Sequence, residues 1–400
     1  MAIRNDLGLS DAQIGIASSI FAIGGLAGAF LAGLSMKSMG RKSTLLAIAF
    51  VYLVSGLMKA TAMGITMLAA GRFISGIAAG CGAVVCPIII MELAPPASKG
   101  KFGAITQVSI NLGILTTQIL GIFLGKPRLW RLVLLIGGLL GAVQATLLTI
   151  VPESPAYLYK IGKKEEARKA LIKLRAPDDI EEEFSSFAGT SDEGPEAEPL
   201  LSATQKIVGL AEFATARKYR WSLMLVVGIM LAQQFTGINA VVMYGVAILR
   251  GLLPAYAPVL NAGISAVNLI VTLGASSLFD RVSHKLLLIV SISGMAFFAA
   301  ILGAGMHLEI PALSAVGTFF FVSSFSIGLG PLPWMVAVRN VEPNAVESAQ
   351  SLAIAANWLG TFAVSFGVPV LASAIGMDGL FFGFAAIGTL VAAWALVVLP

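Results

Sequence analysis

Long apolar runs separated by short polar segments make up most of the chain. A helix needs about 20 mostly apolar residues to cross the hydrocarbon core of a bilayer, and eleven runs reach about that length. Helices are the expected structure, because lipid offers no hydrogen-bond partners to an open backbone. We predict membrane spans at 11–36, 43–62, 65–92, 102–125, 130–151, 221–248, 257–279, 286–306, 310–337, 348–374 and 378–399.

The composition supports an all-α membrane protein. Hydrophobic residues make up 57% of the 400 positions and charged residues only 12%, whereas soluble domains carry about 25% charged residues. The net charge of +5 is modest and forms no patterned basic face, so a nucleic-acid partner is not expected. Cys81 and Cys86 lie in one apolar run, where two thiols alone make a poor metal site. No metal or other cofactor is predicted.

Lysine and arginine near the ends of the spans predict the orientation. The larger basic set includes Lys37, Arg41, Lys42, Lys99, Lys101, Arg281 and Lys285, together with the basic part of segment 152–220. The positive-inside rule places this set in the cytosol. With eleven spans, Met1 then lies outside and Pro400 inside.

The polar segment 152–220 divides the chain into five spans and six. We predict an N-terminal transmembrane bundle over 1–151, a cytosolic linker over 152–220 and a C-terminal bundle over 221–400. Within the linker, 163–175 is a predicted amphipathic helix, because Ala167, Ala170, Leu171 and Leu174 share one face. The acidic stretch Asp178 to Pro199 is predicted to be a flexible linker.

The two halves contain a weak internal repeat. "GLSMKSMGRK" at 33–42 and "GASSLFDRVSHK" at 274–285 both follow a long apolar span and both end in a basic pair. The first follows the first span of its half, and the second follows the second span of its half. A six-plus-six architecture, of the kind built from repeated halves in many transporters, would restore the symmetry.

Uncharged amides lie inside two of the predicted spans. Gln107, Asn111, Ile114 and Gln118 share one helical face, since each residue turns the helix by ~100°. In "QQFTGINAVVMYG" (233–245), Gln233, Gly237 and Tyr244 share a face, but Gln234 and Asn239 lie about 140° apart on a regular helix. A helix break at Gly237 is therefore predicted.

Polar residues within spans usually face the protein interior or a water-filled cavity. An amide both donates and accepts hydrogen bonds, so it can bind two neighbouring hydroxyls of a polyol. The alternative is that these amides only hold helices together, at about 0.6 kcal/mol each.

Several motifs resemble the sugar porters of the major facilitator superfamily, and fungal members in particular. They include "GRK" at 40–42, "GRFISGIAAG" at 71–80, "WR" at 130–131, "PESPAYL" at 152–158, "QQFTGIN" at 233–239, "DR" at 280–281, "GPLPW" at 330–334 and "NW" at 357–358. The motifs occur in the family's order and cover nearly the whole chain. The resemblance implies the major facilitator fold, with twelve helices in two bundles. On that comparison the first helix is absent and the chain ends where the family's closing motif begins, which we interpret as a truncated gene model or fragment.

The resemblance also implies that both glutamines and the asparagine of "QQFTGIN" contact the sugar. Amides from later spans and two tryptophans, as an aromatic face for a pyranose, complete the candidate substrate-binding set: Gln107, Ile110, Ile114, Gln233, Gln234, Asn239, Asn268, Trp334, Asn357 and Trp358. Packing beneath the proline-rich bend is the alternative role for Trp334.

The family closes its cytosolic mouth with a lock of acidic and basic residues, and this chain departs from that pattern. Lys37 occupies a position where the family usually has Asp, and Arg339 one where it has Glu. The candidate cytosolic gate is Lys37, Arg41, Glu92, Lys99, Asp280, Arg281, Arg339 and Glu347. We predict altered pairs, Lys37 with Glu92 and Asp280 with Arg339; the alternative is that these are ordinary solvated charges at helix ends.

The resulting hypothesis is a carrier that moves a hexose-like sugar by alternating access, either facilitatively or coupled to protons. A non-transporting sugar sensor and a carrier of another polyol, such as a cyclitol, are the alternatives. No nucleotide-binding loop or nucleophile–base pair indicates an enzyme. The expected partners are a small-molecule sugar and the lipid bilayer, the chain is expected to be monomeric, and the plasma membrane and the vacuolar membrane both remain candidate locations.

Overall fold

A computed structural model describes residues 2–175, 180–189, 208–242 and 256–399, and all regular structure in these ranges is helical. The α-helices are α1 (Ala2–Leu7), α2 (Asp11–Ala60), α3 (Ile65–Leu93), α4 (Lys99–Gly103), α5 (Ile105–Leu124), α6 (Trp130–Leu148), α7 (Pro155–Lys160), α8 (Lys164–Leu174), α9 (Ile180–Gly189), α10 (Leu210–Thr215), α11 (Arg220–Phe235), α12 (Ala257–Ser276), α13 (His284–His307), α14 (Pro311–Ile327), α15 (Pro333–Asn340) and α16 (Val346–Val398).

Eight helical segments in the described ranges are long and apolar enough to cross a membrane. Two of them, α2 and α16, each consist of two helices that meet at a kink, at Gly40 and Gly376 respectively, where the backbone leaves the helical conformation. Each of these helices covers two predicted spans, and the 17-residue α14 covers another. Every one of the eleven predicted spans therefore has a helix.

The boundaries of several predicted spans are wrong. The span 310–337 is not one helix, because α14 ends at Ile327 and α15 begins only at Pro333. Proline lacks a backbone donor and clashes with a preceding helical turn, and the sequence "GLGPLP" supplies two prolines and two glycines at this break. The break predicted between the spans 11–36 and 43–62 is present but shorter than the polar segment 37–42, because only Gly40 leaves the helical conformation. Predicted positions 243–248 lie outside the described residues.

The helices before residue 151 and those after residue 221 pack mainly within their own halves. In the first half α2 packs against α3 and α6, and in the second half α16 packs against α11 and α13. Contacts between the halves join α16 to α2 and α3, and α12 to α5. Two helical bundles result, while the predicted boundaries at 151 and 221 stay a prediction.

Large apolar side chains cover the outside of both bundles. Phe50, Phe123, Ile270 and Leu390 are each about two-thirds exposed, an arrangement that water would penalise by about 25 cal/mol per Å² of apolar surface. A bilayer removes that penalty. The exposed apolar belt therefore agrees with a protein that spans the membrane.

The linker contains more structure than the sequence predicts. The predicted amphipathic helix is confirmed as α8, with Ala167, Ala170 and Leu171 buried. The expectation of a flexible stretch from Asp178 to Pro199 is wrong for 180–189, which forms α9; its remaining positions lie outside the described residues.

Arg175 fixes this helical part of the linker, predicted to be cytosolic, to the end of α3. Its guanidinium donates to the carbonyl oxygens of Leu93 and Ala94, each at 3.0 Å, and pairs with Glu183 at 2.8 and 3.0 Å. The last carbonyls of a helix have no partner within it. Arg175 therefore satisfies two of them while holding the linker against the first half.

Candidate functional site

The break predicted at Gly237 is present. Helix α11 ends at Phe235, Gly237 has φ +95°, and helical backbone resumes over 238–242. The break turns Asn239 back toward the preceding turn, where its side-chain amide donates to Gln234 Oε1 and, at 3.3 Å, to Thr361 Oγ1. Two residues on different faces of a regular helix thus meet in one hydrogen-bonded group.

We expect Gly237→Ala to disrupt this break. A methyl group at that position would lie 2.6 Å from the ring of Phe384, and a positive φ is strained for any residue with a Cβ. The expected loss is about 1–3 kcal/mol of unfolding free energy, measured as a lower thermal midpoint in detergent. Gly263→Ala is the matched control, since a Cβ there meets nothing within 4 Å; equal midpoints for the two variants would contradict the prediction.

Five side chains around this break form what we call the α11 network: Gln233, Gln234, Asn239, Asn357 and Thr361. Gln233 donates to the carbonyl oxygens of Leu329 and Gly330 at 2.8 and 3.1 Å. Its own Oε1 accepts from Asn357 at 2.8 Å and from Gln234 at 3.2 Å. The network therefore links α11 to α16 and to the irregular segment between α14 and α15.

A second group, the α5 network, consists of Gln107, Asn111, Asn268, Thr272, Ser326 and Trp334. The Trp334 indole donates to Gln107 Oε1 at 2.8 Å, and Gln107 Nε2 donates to Asn111 Oδ1 at 2.9 Å. Asn111 in turn donates to Asn268 Oδ1 at 2.8 Å. Because Gln107 and Asn111 belong to the first half and the other members to the second, this network crosses the interface between the bundles.

The members of both networks are uncharged. Except for the half-buried Asn239 and Thr361, they are all buried. Burying an amide without a partner costs about 1–3 kcal/mol, whereas a satisfied hydrogen bond contributes about 0.5–1.5 kcal/mol. Self-pairing therefore keeps these groups stable in apolar surroundings. The same donors and acceptors can instead form hydrogen bonds to a ligand that offers hydroxyl groups.

The remaining predicted substrate-binding residues lie outside these hydrogen-bonded groups. Ile110 is 37% exposed and Ile114 is half-buried. Trp358 packs edge-on against the Phe21 ring at 5.4 Å between centroids, so it contacts α2 of the first half. Gln118, on the predicted amide face of α5, is half-buried, and its Oε1 has no hydrogen-bond partner within the described residues.

Sequence reasoning missed three hydroxyl residues of the networks. Thr272 lies four positions after Asn268 and Thr361 four positions after Asn357, so each pair shares a helical face. A search for polar pairs at this spacing inside apolar spans would have found them. Ser326 contacts Asn268 from another helix at 2.8 Å, and no spacing within one helix indicates that contact.

Arg41 is the centre of the ion pairs on the inner side, the side predicted to be cytosolic. Its guanidinium donates to both oxygens of Glu92 at 3.2 and 3.1 Å and to Glu347 at 2.9 Å. Arg41 is 4% and Glu347 5% exposed, and the ring of Tyr157 lies 4.5 Å from the guanidinium carbon. Since Glu92 belongs to α3 and Glu347 to α16, one cation joins the two halves.

The predicted pair of Lys37 with Glu92 is wrong, because Glu92 pairs with Arg41 instead. Gly40 lies between Lys37 and Arg41, and its bend directs Lys37 to the exterior and Arg41 to the interior. Lys99 and Arg281 likewise form no ion pair within the described ranges. The other predicted pair is present, with Arg339 and Asp280 separated by 3.9 Å.

Lys160, a residue that the gate prediction did not include, lies near the same carboxylates. Burial lowers the pKa of this lysine, and the charges of Glu347 and Glu92 oppose that shift while Arg41 adds to it. The short helix α7 of the linker therefore lies close to the inner ion pairs, since its Tyr157 also contacts the Arg41 guanidinium.

Asp280 forms a second connection between the halves. Its carboxylate accepts from the backbone amides of Gly100 and Lys101 at 2.7 and 2.9 Å. Hydrogen bonds to a charged acceptor contribute about 1.5–3 kcal/mol each. Asp280 therefore holds the segment before α5 against the end of α12 on the inner side.

We expect Gly100→Ala to weaken this connection, because the added Cβ would lie 2.3 Å from Asp280 Oδ1. Opening can be followed at Ser351, which is fully buried and faces Gly33 of α2. In a background with Cys81→Ser and Cys86→Ser, a Ser351→Cys reporter should react with maleimide several-fold faster when Gly100→Ala is present. Gly113→Ala, which meets nothing within 4 Å, is the control; unchanged reactivity in Gly100→Ala would exclude a role for this contact.

Two helical bundles, an uncharged polar interior and ion pairs across one mouth define a membrane carrier of the major facilitator fold. The model of the "Sugar (and other) transporter" family matches residues 3–400, and the chain belongs to this family. It is an integral, multi-pass membrane protein whose relatives are transporters, not enzymes.

Two similar proteins and one solved structure illustrate the relationship. The chain is 33% identical over 374 residues to the probable metabolite transport protein YBR241C of Saccharomyces cerevisiae, covering 92% of this chain and 76% of that protein. It is 31% identical over 383 residues to the facilitated glucose transporter member 2 of Sus scrofa, covering 92% and 71%. The structure of the proton:xylose symporter XylE bound to 6-bromo-6-deoxy-D-glucose superimposes with a TM-score of 0.88 at 23% identity, covering 100% of this chain and 90% of XylE.

Proposed function

We propose that this carrier moves a hexose-like sugar across the membrane by alternating access, with the two amide networks as its binding site. The observation that carries the proposal is the α5 network, in which amides of both halves bond directly to one another. A ligand bound there contacts both bundles at once. Its binding is thereby coupled to their relative movement.

The chemistry of the networks suits a polyol. Each amide offers a donor pair and an acceptor, so Gln107, Asn111 and Gln233 can exchange their mutual hydrogen bonds for bonds to sugar hydroxyls. Gln118 Oε1, which has no hydrogen-bond partner in the described part of the chain, is a further acceptor for a hydroxyl. Trp334 supplies an aromatic ring next to Gln107, to which its indole already donates. Tryptophan combines such a donor with a large apolar face, which suits the apolar face of a pyranose.

The absence of charge from both networks supports a transport role. A carrier must release its solute, and hydrogen bonds exchanged between ligand and protein leave only a small net free energy. Neutral amides therefore provide selectivity for hydroxyl groups without the tight binding that a buried charge would create. In our proposal, affinity remains low enough for turnover.

The inner ion pairs support alternating access. Arg41 to Glu347 and Asp280 to Gly100 connect the halves on one side, so the inner mouth is held closed in this arrangement. In our proposal the pieces 1–151 and 221–400 rock against each other, joined by 152–220, and these contacts break when the site opens inward. Although the gate departs from the family pattern, Arg41 pairs with Glu92 and Glu347, and Arg339 lies within 4 Å of Asp280. These pairs favour a carrier over a sensor with a non-functional gate.

The names of relatives agree with a sugar substrate. They include facilitated glucose transporters and a proton:xylose symporter. We take from them only the class of solute. Proton coupling is a separate question, which an imposed pH gradient answers.

The test is uptake of radiolabelled D-glucose into proteoliposomes that contain the purified chain. Saturable uptake, with L-glucose not taken up, is the expected result. Saturable binding without uptake would contradict transport and support a sensor. Stronger competition by myo-inositol than by unlabelled D-glucose would indicate that the substrate is a cyclitol and not a hexose.

A further inference from the structure

Two buried polar atoms of α16 have no hydrogen-bond partner in the part of the chain that the structure describes. They are the Oε1 of Gln350 and the Oγ of Ser351. Both residues are 0% exposed, so the surrounding chain already encloses them on all sides. A buried polar atom without a partner is unfavourable and rare in folded proteins, so each of these atoms calls for an explanation.

Gln350 and Ser351 lie between the inner ion pairs and the amide networks. Ser351 comes one helical turn after Glu347, the residue that pairs with Arg41, and Gln350 comes seven positions before Asn357 of the α11 network. Positions four or seven apart share a helical face. One face of α16 therefore carries polar side chains from the inner mouth to the networks, and these two residues form its middle.

Both residues adjoin parts of the molecule that the proposed mechanism uses. Gln350 Nε2 donates to the backbone oxygen of Trp334 at 3.4 Å, a long hydrogen bond, and the indole of Trp334 belongs to the α5 network. Ser351 faces α2 across the interface between the halves, since a Cβ at Gly33 would lie 3.5 Å from its Oγ. Separation of α2 from α16 at the inner mouth would therefore uncover Ser351 and open a path to Gln350.

We propose that Gln350 and Ser351 form an inner subsite that binds hydroxyl groups of the transported solute after α2 and α16 separate. The inference rests on the proposed function, because it gives the same hydroxyl-rich solute a second contact on its way to the inner mouth. An amide oxygen accepts a hydrogen bond, and a serine hydroxyl both donates and accepts. The pair therefore matches the chemistry of a polyol. Water offers the same groups, and measurements of sugar binding distinguish the two occupants.

The unmet hydrogen bonds also oppose closure of the inner mouth. Closure buries Gln350 Oε1 and Ser351 Oγ without partners, which is unfavourable, whereas the ion pairs of Arg41 favour closure. A carrier must visit both arrangements, so a mouth that closes too firmly would slow it. The subsite thus favours opening at the position that the solute must pass.

Gln350→Met tests this effect without any solute. Methionine is unbranched and about as long as glutamine, but it has no oxygen to leave unpaired, so closure should become more favourable. In the Cys81→Ser and Cys86→Ser background, the Ser351→Cys reporter should react with maleimide about fivefold more slowly, equivalent to about 1 kcal/mol. An amide that only holds helices together predicts faster labelling, and equal or faster labelling would overturn the inference. Gln144→Met is the control, because it makes the same replacement on α6, which packs against helices of its own half.

Ser351→Ala tests whether the solute reaches the subsite. Equilibrium binding of radiolabelled D-glucose to the purified full chain is compared in two parents, the wild type and Gly100→Ala, in which the inner contact of Asp280 is weakened. In the wild type, where Ser351 is enclosed, the substitution should leave the dissociation constant unchanged. In Gly100→Ala it should raise the dissociation constant about fivefold above that of either parent, equivalent to about 1 kcal/mol.

Failure of the subsite and failure of sugar transport give different results. If both parents bind D-glucose and the double variant has a dissociation constant equal to theirs or between them, the inference is overturned, because only water would then reach Ser351. If neither parent binds D-glucose, the proposed function is overturned instead. The labelling of Gln350→Met needs no sugar, so it still supports or overturns the subsite in that case.

Discussion

Arg41→Ala is expected to destabilise the protein by about 3–5 kcal/mol, the range found when one partner of a buried ion pair is removed. The substitution leaves Glu347, which is 5% exposed, and Glu92 without their shared cation. It also removes a connection between the halves. A lower thermal midpoint and faster maleimide labelling of the Ser351→Cys reporter should therefore appear together.

Lys37→Ala is the matched control, since it removes a cation from the same helix at an exposed position. Combining Arg41→Gln with Glu347→Gln should recover part of the lost stability, because it removes one uncompensated carboxylate along with the cation. If Arg41→Ala and Lys37→Ala gave the same midpoint and labelling rate, the inner cluster would not contribute to closure.

Gln233→Ala is expected to lower kcat/KM for D-glucose uptake by at least about tenfold, equivalent to about 1.4 kcal/mol. Gln233 holds Asn357 and Gln234 and also donates to two carbonyls between α14 and α15. Its loss removes a ligand partner and leaves buried groups unsatisfied, each at a cost of about 1–3 kcal/mol. Uptake by proteoliposomes over a range of sugar concentrations measures the change.

Gln144→Ala is the control for this substitution. It removes the same amide from α6, a membrane helix outside both networks, and should transport sugar at the wild-type rate. An unchanged kcat/KM in Gln233→Ala would show that the α11 network does not take part in substrate binding.

The spans and the amide positions could be predicted because both depend on local sequence. The length of an apolar run predicts a membrane-spanning helix. Residues at i and i+4 share a helical face regardless of the rest of the fold. The same reasoning located the break at Gly237, since only an interruption could bring Gln234 and Asn239 together. These predictions needed no knowledge of neighbouring helices.

Only one of the two ion pairs predicted from the sequence is present: Asp280 pairs with Arg339, but Lys37 does not pair with Glu92. Lys37 and Arg41 are both basic and lie four positions apart, yet the bend at Gly40 sends only Arg41 toward Glu92. The contact of Asp280 with backbone amides of Gly100 and Lys101 involves no complementary side chain at all. Contacts of this kind depend on where two helices end in space, which spacing along one helix does not specify.

The central claim is that amides from both halves bind one sugar molecule. Equilibrium binding of radiolabelled D-glucose to the purified protein tests it most directly, with Gln107→Ala representing the α5 network and Gln233→Ala the α11 network. We predict saturable binding to the wild type and a dissociation constant at least about tenfold higher in each variant, equivalent to about 1.4 kcal/mol. Binding of wild-type strength in both variants would contradict the account.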